Sequence, residues 1–191
     1  MKFYLISIIV AITLMAVASA SAQNVNIGAK AGLNSYNIEN NNSEFDSKIG
    51  FNFGLIGHTH LNEFFAVQPE IFYSVQGAKS GNTDVNLAYI NVPVLLQFMF
   101  DNGFRIQTGP QLGFMMNAEA KNNNDTINIE ENYKSIDLGL NIGASFLNSS
   151  TGFGFDARYV HGLSDISESS SFSSYSRGLE IGVFYLFNYS D

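Results

Sequence analysis

Behind an apolar leader, one pattern recurs eight times: a run of roughly a dozen residues in which apolar side chains alternate with small or polar ones. The connections between successive runs go long, short, long, short, long, short, long. A period of two puts alternate side chains on opposite faces of an extended strand. Antiparallel neighbours with tight turns at one rim and elaborate loops at the other describe an up-and-down barrel of the outer-membrane type. The pattern predicts an all-β chain: an eight-stranded antiparallel up-and-down transmembrane β-barrel, preceded by a signal peptide that is cleaved.

The leader fixes the compartment. Lys2 is followed by an apolar stretch over 3–17 and then by Ala18, Ser19, Ala20, Ser21 and Ala22. Both Ala18-x-Ala20 and Ala20-x-Ala22 fit the small-x-small cleavage rule of secretory leaders. The expected organisation is a signal peptide over 1–22 and one barrel domain over 23–191. The chain has no Cys, which excludes lipoprotein anchoring and disulfide stapling. Its formal charge of −8 becomes −9 once Lys2 is removed. Such a surface repels phosphate, so no nucleic-acid partner is expected. Charged residues make up 14% of the chain, against about 25% in ordinary soluble domains. After the leader, no run approaches the ~20 continuous apolar residues of a membrane helix. A membrane protein that reads as half apolar is what a barrel gives, because every second residue faces inward.

The strands are expected at about 24–34, 48–61, 64–77, 87–100, 104–117, 133–146, 152–163 and 177–187. In the first, Val25, Ile27, Ala29, Ala31 and Leu33 oppose Gly28, Lys30, Gly32 and Asn34. The third sets Phe65, Val67, Pro69, Ile71 and Tyr73 against Ala66, Gln68, Glu70 and Ser74. The eighth sets Leu179, Ile181, Val183, Tyr185 and Phe187 against Glu180 and Gly182. The turns at 62–63, Asp101-Asn102-Gly103 and Asn148-Ser149-Ser150 are tight, and Asn and Gly tolerate the positive φ they need. Polar loops are expected at 36–47, 79–84, 121–132 and 164–176. An even strand number places both termini at the short-turn rim, in the periplasm, with the long loops outside the cell.

A soluble lipocalin-type barrel would show the same alternation with its apolar face inward around a ligand. Here the polar faces carry Gly, Asn, Ser and Gln rather than the mixed Lys and Glu of a solvated surface. The apolar faces end in aromatics near the rims, among them Phe64, Phe65, Phe100, Phe104, Phe146, Phe153, Tyr185 and Phe187. Small residues suit a narrow interior, and rim aromatics form interfacial girdles. The apolar face is therefore read as facing lipid.

Five groups of segments carry a family resemblance: Gly28-Ala-Lys-Ala-Gly-Leu-Asn34; Val67-Gln-Pro-Glu-Ile71 with Tyr73-Ser-Val-Gln-Gly77; Tyr89-Ile-Asn-Val-Pro-Val-Leu-Leu-Gln97; Thr108-Gly-Pro-Gln-Leu-Gly113; and Asp156-Ala-Arg-Tyr159 with His161-Gly-Leu163. On these the chain resembles the small PorT-like, "porin family" outer-membrane β-barrel domain, over all but its loops. The resemblance implies the barrel fold and the outer membrane of a Gram-negative bacterium. It also implies use of the last strand, ending at Phe187, by the outer-membrane assembly machinery during insertion. Asn91 and Gln97 stand where such domains often carry a charged pair.

Lys30, Glu70, Arg158 and Glu180 fall on the inward face at similar heights above the short-turn rim, and Arg105, Asp137 and Asp156 also face inward. Buried charges are costly unless paired, so these seven residues are expected to form an interior polar network that closes the lumen. Glu180–Lys30 and Glu70–Arg158 are the expected pairings, and a proton or ion path is the alternative role. His58 and His60 share a strand face at a spacing some metal sites use, but no Cys or clear third ligand accompanies them. His161 and Ser164, three apart, fall on opposite faces, which breaks the geometry of a nucleophile and its base. No catalytic residue, metal or cofactor is assigned. The expected role is a non-enzymatic envelope barrel, structural, surface-interacting or accessory to secretion and assembly. The alternatives are a membrane-embedded lipid hydrolase or acyltransferase, and a small-solute or proton channel. It is expected as a monomer in contact with outer-membrane lipid and lipopolysaccharide.

Overall fold

The computed structural model describes residues 25–40, 46–80, 83–122, 125–169, 173–187 and 189; the leader and its cleavage sites lie outside them. The strands are β1 (Asn26–Asn40), β2 (Asp46–His60), β3 (Phe65–Ser80), β4 (Thr83–Met99), β5 (Phe104–Lys121), the short β6 (Thr126–Asn128), β7 (Ile136–Leu147), β8 (Phe153–Gly162) and β9 (Ser174–Phe187), with one 3-10 turn at Glu130–Asn132. Each long strand pairs antiparallel with the next, and β9 pairs with β1 to close the ring. The barrel is β1-β2-β3-β4-β5-β7-β8-β9, with β6 hanging on β5 beyond the long-loop rim.

The eight expected strands are all present, and several run further toward the long-loop rim than the alternation predicts. β1 continues to Asn40, paired with Ser174 of β9, and β4 begins at Thr83, paired with Ser80 of β3. β5 continues to Lys121 and carries β6 as a hairpin, so the expected loop at 121–132 is partly folded. Above the lipid band the outward positions of β1 become Ser35, Asn37 and Glu39. Apolar alternation stops there, while backbone pairing does not. The expected start of the sixth strand at 133 moves to Ile136, and Tyr133 instead makes an isolated bridge to Ser167.

The outer face is the apolar one. Ile27, Leu33, Phe53, Leu55, Ile71, Ile142, Phe155, Ile181 and Val183 are all exposed. At the short-turn rim, Phe64, Phe65, Phe98, Phe100 and Phe104 form a chain of ring contacts, as do Phe153, Tyr185 and Phe187. All three short turns are built on Asn. Asn62 Oδ1 accepts from the Phe64 and Phe65 amides, Asn102 Oδ1 from Phe104, and Asn148 Oδ1 from Ser150 and Thr151. Gly103 sits at φ +85°, and a Cβ there would lie 2.3 Å from the Leu147 carbonyl oxygen. That turn accepts only glycine comfortably.

Candidate functional site

The inward side chains are arranged in layers along the barrel axis. In the central layer Arg158 of β8 reaches across the barrel to Glu70 of β3, and the two strands are diametrically opposite in the ring. Arg158 Nη2 donates to both Glu70 carboxylate oxygens at 3.1 and 3.0 Å, and Nε donates to Asp156 Oδ2 at 2.9 Å. Nε also lies 3.5 Å from Glu180 Oε2. Lys30 of β1 donates to Glu70 at 3.2 Å and stands 3.6 Å from Asp156. Its ammonium lies 5.0 Å from the centroid of the buried Phe72 ring, a cation–π contact. Each of the five charged side chains is at most 5% exposed. Paired charges with several hydrogen bonds each are the tolerable way to bury so many.

Two further layers lie toward the short-turn rim. Gln97 donates to Gln68 and Gln107, and Gln68 donates to Glu70, so an amide relay connects β5, β4 and β3 to the charge layer. Thus Gln97 carries an amide link between β3 and β5. Beyond it, His58 and His60 pack edge to face with ring centroids 4.9 Å apart. Tyr189, just past the last strand, rests on both rings. Its hydroxyl accepts from Arg105 at 3.4 Å and lies 3.4 Å from His60 Nε2.

Toward the long-loop rim, the Tyr36 hydroxyl donates to Glu180 Oε1 at 2.9 Å. Above it an apolar cluster of Ile38, Val85, Leu87, Tyr89 and Ala118 receives Ile166 from the loop between β8 and β9. Ile166 is fully buried. The loop is strapped down: the Lys134 amide donates to the Ile166 carbonyl, the Glu168 amide to the Asn132 carbonyl, and Ile166 N to Ser174 O. The Ser174 amide above all, then the Ser167 amide and Lys134, hold the Asp165 carboxyl below the usual carboxylate range.

Of the seven expected network residues, Lys30, Glu70, Asp156, Arg158 and Glu180 share the central layer, and the other two lie apart. Arg105 belongs to the ring layer near the short turns, and Asp137 sits near the opposite rim, accepting from Ser164 Oγ at 2.8 Å. Glu70–Arg158 is a direct pair. Glu180–Lys30 is not among the ion pairs of the described residues, because Arg158 and Tyr36 hold Glu180. Three contributors are absent from the sequence expectation. Tyr36 and Ile166 fall within the expected loops at 36–47 and 164–176, and Tyr189 lies beyond the expected end of the last strand at Phe187. Only Tyr36 left a signal, since it continues the inward register of Lys30 and Asn34. Ser164 is bound to Asp137 and to the Leu138 amide, while the His161 ring packs on Tyr159. No cluster of three or more His, Cys, Asp or Glu suited to a metal occurs among the described residues.

The model of the "outer membrane protein beta-barrel domain" family matches residues 21–168. The chain belongs to this family. The family barrel therefore resides in the outer membrane, with its long loops extracellular and its short turns periplasmic. Among solved structures, Neisserial surface protein A is similar with a TM-score of 0.64 at 18% identity, covering 86% of this chain and 100% of that one. The attachment invasion locus protein Ail of Yersinia pestis is similar with a TM-score of 0.56 at 17% identity, covering 85% of this chain and 98% of that one. Ail in complex with the heparin analogue sucrose octasulfate gives 0.53 at 15%, covering 86% and 99%. At these identities the likeness is one of fold. No curated protein matches the chain.

Proposed function

We propose that this family barrel is a non-enzymatic surface protein of the PorT-like kind, monomeric in lipid and lipopolysaccharide. In this reading its lumen is closed by side chains and its extracellular crown is the working surface. The observation that carries it is the cross-lumen layer around Arg158, stacked between an amide relay and an apolar cap. An interior so filled offers a solute no path across the barrel, whereas the crown is braced by β6, the 3-10 turn and the Ile166 strap. Ser164, His161 and Asp137 do not assemble into a nucleophile and its base, which supports the non-enzymatic reading. Ail has been crystallised with a sulfated ligand. In this chain Glu119, Asp125, Glu130, Glu131 and Glu168 outnumber Lys121 and Lys134 around the β6 platform. Electrostatics therefore favours a neutral or cationic partner over a sulfated glycan.

Photo-crosslinking on intact cells tests the working face. A crosslinker at Glu131 or Glu168 should yield adducts with a partner outside the cell, and one at Glu63 or Asp101 should not. Adducts confined to Glu63 and Asp101 would point to a periplasmic assembly or secretion role and overturn the crown. Lipid A from a deletion strain should be unchanged; altered acylation would restore the enzyme reading.

A further inference from the structure

At the periplasmic mouth the barrel carries a cavity of about 400 Å³, set between the short turns and the ring layer. That is within the size range of small-molecule sites. Its polarity is sorted by depth. The floor is made by Arg105, His60 and Tyr189, which together present guanidinium, imidazole and phenol groups. Arg105 is almost fully buried, and the neighbouring His58 ring, wholly buried, packs edge to face against His60. The rim is acidic: Glu63 on the β2–β3 turn and Asp101 on the β4–β5 turn, both exposed. Met99, the register partner of Arg105, and Leu147 add apolar lining.

We propose that this cavity is a binding site for a zwitterionic amino acid or short peptide. The ligand carboxylate sits on the Arg105, His60 and Tyr189 floor, and its ammonium faces Glu63 and Asp101. A donor-rich floor suits a carboxylate through charge-assisted hydrogen bonds. The two rim carboxylates select against phosphate esters and other polyanions, which a donor-rich floor alone would also accept. They require a positive charge at the outer end of the ligand. The apolar lining leaves room for a short apolar side chain. This site is independent of the extracellular crown and of whether the lumen conducts.

The test uses the full mature chain folded in detergent micelles, with alanyl-alanine as the probe. Titration should give saturating NMR shifts at Tyr189 and His60, with a millimolar dissociation constant. N-acetyl-alanyl-alanine lacks the ammonium and alanyl-alanine amide lacks the carboxylate; each should bind about tenfold more weakly, as loss of one charge-assisted contact implies. Arg105→Gln should abolish the preference for the free carboxylate. Because Arg105 is buried, a second variant guards against a folding defect. Glu63→Gln with Asp101→Asn alters exposed turns only, and should weaken alanyl-alanine about tenfold without weakening the N-acetyl peptide. Absence of saturation at the solubility limit of alanyl-alanine, or equal binding of the three peptides, would overturn the proposal.

Discussion

Arg158 is the residue on which the interior turns. It touches Glu70, Asp156 and Glu180, whereas Lys30 touches two of these carboxylates at longer distances. Replacing Arg158 by Met leaves three buried carboxylates with one ammonium. The expected loss is on the order of 3–5 kcal/mol, read from urea unfolding of the barrel in lipid vesicles. Glu180→Gln should cost distinctly less, because Arg158 keeps Glu70 and Asp156, and the amide oxygen still accepts from Tyr36. If the Glu180 variant proves the less stable of the two, Arg158 is not the hub. Four of the five members of the central layer are legible in the sequence by inward parity and similar height, namely Lys30, Glu70, Arg158 and Glu180, while Asp156 shows only inward parity. The partners within it are not, because strand stagger decides which side chains meet across the lumen and alternation carries no stagger.

At the scale of elements, lipid is what makes strands readable. Where it contacts the wall, outward residues are apolar, or like Thr108 spend their hydroxyl on a backbone carbonyl, and the period of two stands out. Above the lipid band the pairing of β1 with β9 persists through Tyr36↔Gly178 and Ile38↔Ser176 with no such constraint. The strand extensions and the β6 hairpin therefore escape the sequence reading. So does the Ile166 strap, where a single buried apolar residue lies in a Ser-rich loop. The strap carries its own pH dependence. The Asp165 carboxyl is held below its ordinary range by the Ser174 amide, so its contribution is complete above the usual carboxylate pKa of about 4. It is lost as pH falls through the depressed value. Amide protection factors at Ser167 and Ser174 should be constant from neutral to mildly acidic pH and fall below it; Asp165→Ala should lower them at neutral pH. Flat protection down to the acid limit would contradict this. The closing seam is the other sensitive element. Deleting residues 186–191 removes the Gly28↔Leu186 and Ile27↔Phe187 pairs and the Tyr189 contacts of the ring layer. A heat-modifiable folded band in the membrane fraction should disappear; normal folding of the truncation would mean the seam is dispensable.

For the whole molecule the question is whether layers so different act as one barrier. An eight-stranded wall encloses a space that side chains can fill, unlike the wide lumen of a porin. Here four layers follow one another along the axis, and on the proposed reading each helps to close the lumen: an apolar cap under Ile166, a charge layer around Arg158, an amide relay through Gln97, and the Tyr189 ring layer. A polar interior alone could admit water between its groups, but the apolar cap removes hydrogen-bonding sites at one mouth. The charge layer then presents an ion with fixed partners that already satisfy one another. Planar-bilayer recordings of the purified barrel should therefore show no large, stable pore. Opening one layer should not change this. Ile166→Asp removes the apolar cap but leaves the Glu70–Arg158 bridge intact, and should remain silent or give brief, small events. Glu70→Ala with Arg158→Ala removes the bridge and both charges, and combined with Ile166→Asp it should yield measurable conductance. Steady conductance of porin size in the wild type would mean the side chains leave a continuous aqueous path, and Lys30, Glu70, Asp156, Arg158 and Glu180 would then line a transport route rather than close one.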